Sequence, residues 1–63
     1  MENIEMRIEF FREQIRLLSN SIQSLEYGLI RWSRAGIDIT DEVIKGYRLR
    51  IKFLEKSIEI WTN

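Results

Sequence analysis

Asp38, Asp41 and Glu42 form the chain's tightest carboxylate cluster, three acids within five positions. Such an oxygen-rich group is the kind that takes a divalent cation. Carboxylates just ahead of a helix, however, more commonly cap it and complement its dipole. The sequence contains no His and no Cys, which removes the ordinary zinc ligands and the common nucleophile–base pairs. It also lacks a Gly-rich phosphate loop and an acid pair placed for general acid–base work. No catalytic residue, no cofactor and no metal is expected, and the chain reads as a non-enzyme.

A different chemistry is open to the bases. Lys45, Arg48, Lys52 and Lys56 recur at 3-4-4 spacing, with Arg50 and Tyr47 beside them. A helix carrying such a stripe can meet the backbone of RNA or DNA, and the binding would be strongly salt-dependent. The ordinary reading of the same stripe is a solvated helix face. Ten acidic residues balance the ten basic ones, and Glu2, Glu5, Glu9 and Glu13 form an acidic stripe that partly cancels the field. A dedicated nucleic-acid binder would carry a basic excess. The two stripes have a second possible use, which is to set the orientation of two chains in an antiparallel dimer. Against that, they point outward, and exposed pairs contribute only about 0–1 kcal/mol each.

The third candidate is apolar. Met6, Phe10 and Leu17 in the first half, and Leu49, Phe53 and Ile60 in the second, stand off the main hydrophobic repeat, at the c and f positions of its heptads. They either widen the core stripe or form a partner-binding patch. Phe10, Leu17, Leu49, Phe53 and Ile60 are the residues expected to capture another protein.

Two heptad ladders must position all of these groups. The first runs through Ile4, Ile8, Phe11, Ile15, Leu18, Ile22, Leu25, Leu29 and Trp32 at 4-3-4-3 spacing. The second runs through Ile44, Tyr47, Ile51, Leu54, Ile58 and Trp61. An unbroken 3.5-residue apolar repeat marks helices that bury one seam against another helix. Helix 1 is expected over about residues 3–34, a turn over about 35–40, and helix 2 over about 41–61, in a single domain spanning 1–63. Glu2, Glu5 and Glu9 suit the start of helix 1, and Arg31 and Arg34 its last turn. Gly36 then serves as the C′ residue, with Ile37 folding back as C″. Thr40 is the expected N-cap of helix 2, with Asp38 a competing cap.

So short a turn makes the helices antiparallel neighbours. Facing residues then have numbers summing to about 73, which pairs Leu29 with Ile44, Ile22 with Ile51, Leu18 with Leu54, Ile15 with Ile58 and Phe11 with Trp61. Helix 1, at roughly 45–48 Å, would outrun helix 2, at roughly 30–33 Å, and leave Ile4 and Ile8 uncovered. One hairpin also leaves a side of every seam residue wet. A chain of 63 residues without disulfides or zinc ligands needs further support. Pairing two hairpins into a homodimeric antiparallel four-helix bundle supplies it. Ser19, Ser21, Gly28 and Ser33 beside the first seam either let another backbone approach or are plain solvent-facing positions. Gly28, placed mid-helix, asks for a reason, since glycine there costs about 1 kcal/mol against alanine.

The stretch Trp32-Ser33-Arg34-Ala35-Gly36-Ile37-Asp38-Ile39-Thr40-Asp41-Glu42, in a short hairpin rich in Ile, Arg, Lys and Glu, resembles a family of small proteins from spindle-shaped viruses that infect Sulfolobus (fuselloviruses). The resemblance implies a homodimeric antiparallel four-helix bundle in a hyperthermophile host, with an adaptor role. It carries no functional residues across. A charged fraction of 32% accords with the ion-pair networks of thermophile surfaces.

The expected function is that of a non-catalytic adaptor, partnered by a second copy of itself and by another protein of virus or host. The alternative is a small nucleic-acid-binding regulator using the basic stripe. No apolar run is long enough for a membrane span, and the acidic Met1-Glu2-Asn3-Ile4-Glu5 start lacks the basic n-region of a signal peptide. No membrane partner is expected, and the cytoplasm, a host's if the protein is viral, is the expected compartment.

Overall fold

The computed structural model describes residues 3–62; Glu2 of the acidic stripe lies outside them. Four elements follow one another: α1 (Ile4–Glu26), β1 (Ser33–Arg34), β2 (Ile37–Asp38) and α2 (Thr40–Thr62). Asn3 starts α1, its side-chain oxygen accepting from the Glu5 N–H at 2.9 Å and so satisfying a backbone donor that the helix leaves unpaired.

Helix α1 ends eight residues before the expected position. Gly28 adopts φ +76°, a conformation that costs a residue with a Cβ and that glycine adopts freely. The N–H of Leu29 reaches back to the Ser24 carbonyl at 3.0 Å, and that of Gly28 to Leu25 at 3.2 Å. These are the two bonds of a Schellman ending, and they occupy carbonyls that would otherwise be orphaned. The cost of Gly28 is thus explained by helix termination, not by close packing inside a helix. Gly36 also has positive φ, +81°, but beside Ala35 at +51°. Positive φ at both central positions is the mark of a type I′ hairpin turn, here closing an antiparallel ribbon in which Ser33 faces Asp38 and Arg34 faces Ile37.

Several expectations change with that ending. Arg31 and Arg34 lie beyond the helix, not in its last turn, and Ile37 is an exposed strand residue, not a C″ contact. Leu29 and Trp32 leave the seam for the connection. Leu29 is 76% exposed, so its expected pairing with Ile44 is not made.

Helix α2 begins within a residue of its expected start. Thr40 is its first residue, not its cap: the first turn closes through Val43 N–H on the Ile39 carbonyl at 3.0 Å. Asp38 does the capping, its Oδ1 accepting from the Thr40 N–H at 2.8 Å. The Thr40 side chain is buried and turned to the connection, where its Oγ1 accepts from the Trp32 N–H at 3.0 Å.

The helices pack antiparallel. Phe11 and Trp61 meet with ring centroids 5.0 Å apart. Further along, Arg48 Nη2 donates to Glu26 Oε2 at 2.7 Å, and both contacts fit facing numbers that sum to about 73. Each helix has 23 residues, about 34 Å, so the expected difference in length is absent. The molecule is nevertheless 46 Å long, because the helices are staggered. With Phe11 level with Trp61, the first turns of α1 run past the end of α2, and Ile4 is exposed there while Ile8 is half-buried. Of the seam residues only Ile22, Leu25 and Leu54 are buried; Phe11, Ile15, Leu18, Ile44, Tyr47, Ile51, Ile58 and Trp61 are half-covered. Among the described residues no helix is long and apolar enough to cross a membrane.

Candidate interaction surfaces

A hairpin has two broad faces, and in this chain they differ in chemistry. With Ile8, Ile15, Ile22, Ile44, Ile51 and Ile58 as the a positions of the heptads, three of the six g residues, Gln14, Val43 and Ser57, are half-buried, while Arg7, Ser21 and Arg50 are exposed. The e residues from Glu5 to Glu26 on α1 and from Asp41 to Thr62 on α2 are all exposed. The contact between the helices is therefore centred on d and turned toward g. In an antiparallel pair the g edges of both helices lie on one face and the e edges on the other.

The e face is an isoleucine groove with a mixed-charge rim. Its central part, about 370 Å³, has Ile22 and Ile51 at its floor and Ser19, Gln23, Arg48, Lys52 and Glu55 along its sides. Acids and bases alternate along this face, and two of the stripe residues already have partners. Arg48 is held by Glu26. Glu13, at the outer edge of α1, is held by Arg16, whose Nε donates to Glu13 Oε2 at 3.0 Å. That hydrogen bond lowers the Glu13 pKa and raises the Arg16 pKa. Glu5 and Glu9 stand at the free end of α1, far along the hairpin from Lys45, and Lys52 and Lys56 continue the basic stripe on α2.

The opposite face carries the exposed apolar residues. A c position lies about 100° round the helix from d, on the g side, so Phe10, Leu17, Phe53 and Ile60 share this face. In the facing register they alternate between the helices in the order Phe10, Ile60, Leu17, Phe53, at steps of about 5 Å. All four are exposed, Leu17 least at 46% and Ile60 most at 64%. Leu49 is separated from them. It stands at an f position, in a hollow of about 290 Å³ among Lys45, Arg48 and Lys52, while Met6 occupies the corresponding outer edge of α1. The five expected patch residues therefore divide into a four-residue ladder and one outlier.

Aromatic and cationic groups punctuate the ladder. The Phe10 ring lies 6.2 Å from Phe11, and the Arg7 guanidinium sits 5.8 Å over Trp61. The Arg50 guanidinium sits 5.9 Å over Phe53, an arrangement in which the cation is drawn to the ring face.

The connection carries a site that the heptads did not announce. Arg31 donates to Asp38 Oδ2 through Nε at 3.1 Å and Nη2 at 2.5 Å, Asp38 caps Thr40, and Thr40 binds Trp32. Ile39 N–H closes the ring on the Trp32 carbonyl at 2.9 Å. Thr40, whose N–H donates to Oδ1, and then Arg31 pull the Asp38 pKa down to about 2. Asp38, Asp41 and Glu42 thus serve the helix start, and no group of three possible metal ligands converges among the described residues. Around this network Tyr27, Leu29, Ile30, Trp32 and Ile37 are exposed. The signals for it were present as Gly28, the Ala35-Gly36 pair and the Asp38-x-Thr40 spacing.

Comparison with protein-family models, with curated proteins and with solved structures gave no match to this chain.

Proposed function

We propose that the protein is a non-catalytic adaptor that works as a homodimeric antiparallel four-helix bundle. The supporting observation is the half-covered seam. An isoleucine repeat of this regularity gains about 1.5–3 kcal/mol per fully buried side chain, and a lone hairpin forfeits part of that at nearly every seam position. A second copy on the e face covers the isoleucines. With the loops at opposite ends, the overhanging start of α1, including Ile4, lies toward the exposed Leu29 and Trp32 of the other copy. Both signs of charge on that face suit a self-complementary contact. Twofold symmetry then presents each remaining apolar face twice, so the dimer bridges two copies of a partner.

Sedimentation equilibrium across a range of protein and salt concentration tests the assembly. A species near twice the 7.7 kDa chain mass is the expected result. A single-chain mass throughout would overturn the dimer and make the seam itself the docking surface for another protein. The nucleic-acid alternative draws on Lys45, Arg48, Lys52 and Lys56. It has less support, since Arg48 is engaged by Glu26 and Glu55 and Glu59 lie on the same face.

A further inference from the structure

We draw no further inference here: the strongest candidate, the exposed apolar ladder of Phe10, Ile60, Leu17 and Phe53 on the face opposite the isoleucine groove, carries none, because nothing in the structure shows what covers it.

Discussion

Leu54 and Thr40 are equally buried, each at 1% exposure, yet one anchors the helical seam by apolar contact and the other anchors the connection by hydrogen bonds. Around Leu54 an apolar side chain of similar volume satisfies the physics, because hydrophobic burial is nearly indifferent to direction. Around Thr40 the requirement is atomic: Oγ1 must sit within reach of the Trp32 N–H, and Asp38 must reach the Thr40 N–H. Equal burial therefore predicts unequal tolerance.

The largest effect is expected from removing the apolar anchor. Leu54→Ala should cost about 2–5 kcal/mol, most of what a domain this small commands, and should unfold much of the population in a urea titration followed by circular dichroism. Leu54→Met, which nearly conserves volume, should cost less than about 1.5 kcal/mol. The comparison sharpens at Thr40→Val, which also conserves volume but leaves the part-buried Trp32 N–H without its acceptor, at about 0.5–1.5 kcal/mol. If Thr40→Val melts with the parent, the connection is held by burial after all and the contrast fails.

The same contrast explains what could be read from the sequence. A 3.5-residue repeat is a long-range average over many side chains, so the hairpin, its register and the start of α2 survive errors at single positions. The connection depends on individual atoms. Leu29 and Trp32 continue the heptad spacing perfectly, and periodicity alone keeps them on the helix. What removes them is Gly28, which takes the Schellman conformation, together with a two-residue turn at Ala35-Gly36 and a polar ring closed by Thr40. Each is a local choice worth about 1 kcal/mol, invisible to a pattern summed over nine residues. The flanking apolar residues show a third case. Their exposure could be expected from c and f positions, but the separation of Leu49 from Phe53 required knowing that the helices meet toward g.

Gly46 offers a smaller test on the helical side. It stands within α2, exposed, with open space where a Cβ would be, so its glycine is a cost with no compensation inside the hairpin. Gly46→Ala should stabilise by about 1 kcal/mol, raising the melting temperature by about 4–8 °C for a chain of this size. A lowered melting temperature would mean that a neighbouring chain packs on that position in the assembled protein.

The smallest effect should separate the two regions by pH. Asp38 is held at a pKa of about 2 when folded, by Thr40 first and Arg31 after it, against an ordinary aspartate value near about 3.9 in the unfolded chain. The folded state then binds its proton later than the unfolded state does. The stabilisation is complete above about pH 4 and is lost as pH falls toward 2. Urea midpoints measured from pH 5 down to pH 2 should decline less steeply for Asp38→Asn than for the parent, while Leu54→Met keeps the parent's slope. Carboxyl NMR of Asp38 refines the assignment. Arg31→Ala should release its pKa upward further than Thr40→Val does, since valine keeps the backbone N–H that donates to Oδ1 while alanine removes both guanidinium bonds. The reverse order would place the larger share on the Thr40 side chain, and salt, which screens the exposed Arg31 pair, would then move the Asp38 pKa little.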